Sequence, residues 1–290
     1  MSEYVIVTDS ALDMNIDQVN ALGVEVLPIS YTIKGTTLKN WPDHHEMPLK
    51  EFYQLVRDGE VATTSAINVF EYTEKLTPIL ESGKDVLLMV FDQSISTSTY
   101  QSACLAVEEL KEKFPDRKIL LQDTRAVTAG LYLMLWYATD MQKAGKSMEE
   151  VWQWCEDTKY TICQVFTVED LKYLRRGGRI SATTAGVGGM LNIKPILHVD
   201  HEGFLGSIEK ARGRKAAIQS MVDLVARTIT NTDRLAITQA DCPEEAQALA
   251  DAIREKTGVK EIHIGELGPV IGAHTGPGMM FVGYFGTERG

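Results

Sequence analysis

The segment PVIGAHTGPGMMFVGYFG sets His274 and Thr275 in a glycine-rich turn between two apolar runs. An imidazole in that setting serves as a general base, a partner for an anion, a metal ligand, or a surface group on a tight turn. Hydroxyls gather at three other places. VTDSALD carries Asp9 and Ser10, ATTSAINVFE carries Thr64 and Ser65 ahead of Asn68 and Glu71, and FDQSISTSTYQSA carries Ser94, Ser96, Thr97, Ser98 and Thr99. An Asx or Ser turn accounts for the first cluster taken alone, and a variant capping box for the second. The third exceeds what capping requires, because one helix cap needs one hydroxyl. A helix N-terminus offers free N–H groups and a positive dipole, so this third cluster points to an anion or carboxylate site. Basic residues concentrate in LKYLRRGGRIS (Arg175, Arg176, Arg179) and in ARGRK (Arg212, Arg214, Lys215). These are either solvated turns or patches facing a phosphate or a partner, roles that suit the planar fork of arginine.

The elements that must position these groups follow from periodicity. Tyr4–Thr8, Val24–Ile33, Asp85–Phe91 and Lys118–Gln122 read as strands, with Ile16–Leu22 as a short helix. Ala103, Val107, Leu110 and Phe114 mark one face of an amphipathic helix, and LYLMLWYA within Val127–Ala144 marks a helix apolar on all sides. Such alternation implies a mostly parallel sheet with right-handed crossovers. Ligands of open parallel sheets bind beyond the C-terminal ends of the strands, where all three hydroxyl clusters fall. After about residue 160 the pattern changes. Pro195–Val199 and Leu205–Lys210 form an expected hairpin, and a helix begins near Lys215. Strand Arg234–Thr238, helix Pro243–Lys256 and strands Glu261–Gly265 and Met280–Phe285 complete the chain. The fold class is therefore α/β: an N-terminal mostly parallel α/β domain over 1–160 and a C-terminal α+β domain over 161–290. No low-complexity linker separates them, so close packing is expected.

Composition removes several function classes. With 290 residues, 44% hydrophobic and 24% charged, the chain can bury a full core without disulfides or metals. A net charge of −11 argues against nucleic acid and against general binding to anionic membranes. Cys104, Cys155, Cys163 and Cys242 form no Cys-x-x-Cys pair and stand beside no histidine at zinc spacing, so reduced thiols and no metal are expected. His44-His45-Glu46 reads as a solvated loop between Pro42 and Pro48. GVGGML at 186–191 lacks the last glycine of a dinucleotide fingerprint, and no phosphate loop, nucleophile elbow or zinc helix is found. The N-terminus has no basic, apolar signal pattern and no run reaches transmembrane length, so a cytoplasmic location is expected.

In combination, these motifs resemble the DegV family of fatty-acid-binding proteins, which includes the FakB-type partners of bacterial fatty acid kinase. IVTDSALDM, TTSAINVFE, STSTYQSA, LKYLRRGGRIS, LNIKPIL, EKARGRK and GPVIGAHTGPG occur in the family's order along nearly the whole chain. The resemblance implies a long-chain fatty acid as ligand, lying in an apolar tunnel between the two domains. It also implies no catalysis by the chain itself: the kinase phosphorylates the bound carboxylate. Matched residue by residue, Thr64, Thr97 and His274 take the carboxylate-binding positions, with Ser65, Ser98 and Thr275 beside them. Arg179 and Arg212 take positions near the kinase-facing surface. Transient contact with a membrane is compatible with such a carrier. Two departures stand out: Thr97-Ser98 replaces Ser-Gly, and Ala66-Ile67 replaces Gln-Pro. Two other readings remain open. One is a hydrolase or transferase using Ser94 or Ser98 with His274 and Asp9 as orienting acid. The other is a binder of a different small carboxylate or lipid.

Overall fold

The structure is a computed structural model that describes residues 3–180 and 192–287. Motif LNIKPIL therefore lies partly, and GVGGML entirely, outside the described residues. Four parallel strands, β1 (Tyr4–Asp9), β2 (Glu25–Leu27), β6 (Asp85–Val90) and β7 (Ile119–Asp123), form a sheet of order β2-β1-β6-β7. Strand β6, DVLLMV, is buried at every position, which is why it reads as an unbroken apolar run. The expected strand Val24–Ile33 is instead two. Pro28 has no N–H to give a ladder and breaks the run. Beyond it, β3 (Ser30–Ile33) joins β4 (Thr36–Lys39) and β5 (Thr63–Ser65) in a small antiparallel sheet of order β4-β3-β5. Lys34 and Gly35 link β3 to β4 with positive φ at both positions, 51° and 75°, as a type I′ hairpin turn demands.

Helices α1 (Ile16–Leu22), α2 (Leu49–Arg57), α3 (Val69–Glu81) and α4 (Thr97–Lys113) intervene between these strands. The capping box opening α3 is present: Asn68 Oδ1 accepts from Glu71 N–H at 3.0 Å, and Glu71 Oε2 accepts from Asn68 N–H at 3.0 Å. Next come α5 (Ala129–Lys143) and α6 (Met148–Thr158). Among the described residues, no helix is long and apolar enough to cross a membrane.

The remaining strands, β8 (Ile162–Thr167), β9 (Ile193–Val199), β10 (Leu205–Arg212), β11 (Arg234–Gln239), β12 (Glu261–Glu266) and β13 (Met280–Phe285), build a mixed sheet of order β10-β9-β8-β13-β11-β12. Helices α7 (Lys172–Arg176), α8 (Arg214–Thr228), α9 (Pro243–Thr257) and α10 (Pro269–Thr275) accompany it. Successive side chains of a strand face opposite ways. Accordingly Val165, Ile196, Leu235, Ile237 and Val282 join one core with α8 and α9, while Phe166, Leu197, Ala236 and Phe281 join the core shared with the parallel sheet. The sheet is covered on both faces, and α5, packed against β8, β11 and β13, covers part of the second.

That contact has a tight point. A Cβ on Gly283 would lie 2.7 Å from both the Ala129 carbonyl carbon and the Gly130 nitrogen, backbone atoms that cannot swing aside. Gly283→Ala is therefore expected to destabilise the protein by about 1–3 kcal/mol through overpacking. A thermal midpoint unchanged from that of the parent would contradict this packing.

Candidate functional site: a polar-ended cavity between the sheets

A cavity lies between the parallel sheet and the six-stranded sheet. Its wall is mostly apolar, with Ile29, Phe91, Phe166, Leu174, Val270 and Phe281 among the lining side chains. Ser65 and Ala66 also line it and are exposed, so the cavity meets solvent beside β5.

The polar lining is concentrated near that end. Thr64 on β5 and His274 on the last turn of α10 meet at 2.9 Å, Oγ1 to Nε2. The expected glycine turn around His274 is in fact a short helix. Pro269 starts it, with a fixed φ suited to a first helical turn, and Gly276 ends it at φ 72°. Gly272 lies inside the helix because Tyr53 leaves no room: a Cβ there would come within 2.7 Å of the phenol oxygen. The approach to α10 is pinned from the first half of the chain. Asp13 Oδ1 accepts from Gly268 N–H at 2.9 Å, and the Tyr53 hydroxyl donates to Leu267 O at 2.8 Å.

The imidazole also rests against Gly177, where a Cβ would fall 2.3 Å from Nδ1. Arg179 follows at once. Its guanidinium donates to Gly177 O at 2.5 Å and to Ile95 O at 3.3 Å, and it lines the cavity. Burial, with the nearby Arg179 and Arg176 charges adding to it, lowers the pKa of His274 to about 4. At neutral pH the ring is uncharged, and Arg179 is the one formally charged side chain among the described lining residues. The site combines a fixed cation, a neutral imidazole and hydroxyls, a donor set suited to a carboxylate.

The other residues singled out in the sequence divide. Ser65 and Thr275 line the cavity, with the Thr275 hydroxyl donating to Ile271 O at 3.1 Å. Thr97 and Ser98 do not: they are the first two residues of α4, and both are exposed. The hydroxyls this turn gives to the cavity are Ser96 and Thr99, 2.9 Å apart. The reason is helical geometry, since Ser96 at the N-cap and Thr99 three residues on share a face that the two residues between them leave. That spacing was the signal available in the sequence. Arg179, expected at a partner surface, is half-buried on the cavity wall, whereas Arg212 is exposed at the end of β10. The alternative triad is not assembled. Asp9 accepts from Ala11 and Phe91 N–H groups, Ser94 pairs with Asp92, and Ser98 faces solvent.

A family model described as "Uncharacterised protein, DegV family" matches residues 3–287. The chain belongs to the DegV family. A DegV domain-containing protein of Clostridium perfringens is 39% identical over 100% of this chain and 99% of its own length. A solved DegV protein of Thermus thermophilus, described by its fatty acid binding, is 31% identical with a TM-score of 0.85, covering 98% of this chain and 100% of its own. A DegV structure from Ruminococcus gnavus with vaccenic acid is 25% identical with a TM-score of 0.86, covering 97% and 99%. The mixed architecture, a parallel α/β part joined to an α+β part, is thus that of solved DegV structures, and such structures hold fatty acids.

The neutral ring in this DegV chain has a pH consequence. Its folded pKa of about 4 lies below the ordinary histidine value of about 6.5. Between those values the unfolded chain binds more protons, so the contribution of His274 to stability is full above about pH 6.5 and is lost as pH falls towards 4. An arriving carboxylate favours imidazolium and raises the ring's pKa. Ring proton resonances of His274 are expected to titrate near pH 4 in the ligand-free protein and at higher pH with stearate bound. A free-protein midpoint near 6.5, or a fall on adding stearate, would contradict the assignment.

Proposed function

We propose that the chain binds a long-chain fatty acid, with its tail in the cavity and its carboxylate held by Thr64 and His274 beside Arg179. Ser65, Ser96 and Thr99 supply the surrounding hydroxyls. The observation that carries this reading is the polarity of the cavity: apolar over most of its wall, with its cation, its imidazole and the Thr64 hydroxyl brought together through Gly177 and His274. A buried carboxylate without donors is strongly disfavoured, and this cluster meets it. At about 0.8 kcal/mol per buried methylene, a 16-carbon tail contributes on the order of 11 kcal/mol before ordering costs. The fatty acids of the R. gnavus and T. thermophilus relatives support the same ligand class. With the chain divided near residue 160, each unit contributes half of the clamp.

The chain acts as a carrier in this account and supplies no phosphoryl-transfer chemistry. It presents the carboxylate at the opening to a separate fatty acid kinase, which forms the acyl phosphate. The resemblance of its GGR and ARGR segments to those of the kinase partners supports that role, with exposed Arg212 on the docking side. A cytoplasmic home accords with cysteines that are not joined in disulfides among the described residues. Lipid extraction of the purified protein with mass spectrometry tests the ligand. Long-chain fatty acid in the extract, or uptake of added stearate, is expected. Neither occurring would overturn the reading.

A further inference from the structure

Thr128 is out of place on the wall it occupies. It lines the cavity, is 0% exposed, and no described residue hydrogen-bonds its Oγ1. Val127 precedes it and lines the cavity too, and Val127 N–H donates at 2.9 Å to Gln164 on β8, two residues before Phe166. Phe166 stacks on Phe281 with ring centroids 5.5 Å apart. Phe91 belongs to the same wall, since the next residue, Asp92, donates its N–H to Ala126 O at 3.0 Å. A buried hydroxyl without a partner costs about 1–3 kcal/mol, and valine would fill the same volume without that cost.

The backbone adds a second cost. Thr128 has φ 49° and ψ −126°, a conformation that a β-branched residue seldom adopts. It is held there by its N–H, which donates to Ala11 O at 2.8 Å. Thr128 also stands at the N-cap of the 15-residue helix α5 yet makes no side-chain cap bond. Its hydroxyl therefore serves neither the helix nor a described neighbour, on a residue that lines the cavity.

Thr128 stands on a different element from Thr64 and His274. Helix α5 packs on β8, β11 and β13, whereas α10, which carries His274, packs on α2, α7, β3 and β5. We propose that Thr128 is a second polar subsite in the tail region, which hydrogen-bonds an oxygen carried on the acyl chain and so favours hydroxylated long-chain fatty acids. The inference rests on the fatty-acid reading of the cavity. A threonine hydroxyl both donates and accepts, so it serves an alcohol on the chain in either direction.

The test compares stearic acid with hydroxystearic acids substituted near the carboxyl, at mid-chain and near the terminal methyl. Affinities are measured by displacement of a fluorescent fatty acid from the parent protein, Thr128→Val and Thr128→Ser, with thermal midpoints recorded for each. At least one positional isomer is expected to lose about 2- to 10-fold in affinity on Thr128→Val, the worth of one net hydrogen bond, while stearic acid loses nothing. Thr128→Ser keeps the hydroxyl and retains the preference. If every isomer follows stearic acid in its response to Thr128→Val, the subsite is refuted while the fatty-acid reading stands. If the valine variant fails to fold, the parent and Thr128→Ser decide, because a parent that prefers no isomer to stearic acid refutes the subsite as well. Failure of the parent to bind stearic acid overturns both.

Discussion

His274→Ala is expected to weaken long-chain fatty-acid binding by about 10- to 150-fold, the equivalent of losing one hydrogen bond to a charged group, ~1.5–3 kcal/mol. Thr64 Oγ1 stands 2.9 Å from the ring nitrogen, so both groups address the same point at the cavity mouth. Thr64→Val, which removes the hydroxyl at nearly constant volume, is expected to act in the same direction. The double variant should lose less than the sum, because the two side chains share one carboxylate. The fold should survive these changes, since the described hydrogen bonds of the ring join it only to Thr64. His274→Gln keeps a neutral donor and should recover part of the loss. Displacement titration with a thermal-midpoint control reads these effects. Equal dissociation constants for parent, His274→Ala and Thr64→Val would remove the head-group assignment.

A series of saturated acids is expected to show a larger effect. Each methylene withdrawn from water contributes about 0.8 kcal/mol, close to fourfold in affinity. From ten to sixteen carbons the six added methylenes give ~5 kcal/mol, or roughly three thousandfold, less the rotational freedom the tail gives up. The series should rise steeply and level off once the chain outgrows the cavity. Binding should also carry a negative heat-capacity change. A flat series from decanoic to hexadecanoic acid would place the tail outside the cavity and reduce the site to a binder of small carboxylates.

The architecture was legible where periodicity is strong. Strand β6, the amphipathic α4 and the all-apolar α5 stand close to where their patterns place them. Strand β8 was not, because ICQVFT carries Gln164 in the middle of its apolar run. That glutamine is paid for by tertiary contacts to Val127 N–H and Arg125 O that no local pattern reveals. Helix α10 read as a turn because Gly272, which spares room for Tyr53 from α2, resembles turn glycines in sequence. At the site, Thr64 and His274 were readable as chemistry, but their meeting joins residues 210 apart and needs the fold. Cluster 94–99 advertised hydroxyls without saying which faced inward. The N-cap-to-N3 spacing of Ser96 and Thr99 decides it, and Thr97 and Ser98 turn outward. Arg179 was read as surface because an arginine beside two glycines normally is. Its place on the wall depends on two carbonyls, Gly177 and Ile95, the second 84 residues away.

The central claim is a carboxylate held between Thr64 and His274 with its tail enclosed between the sheets. A crystal structure of the protein with stearic acid bound tests it most directly. A carboxylate oxygen should lie within roughly 2.6–3.2 Å of Thr64 Oγ1 or His274 Nε2, with the chain running along Phe166 and Phe281. A stearate whose carboxylate lies away from both residues, or whose tail lies outside the cavity, would contradict the account.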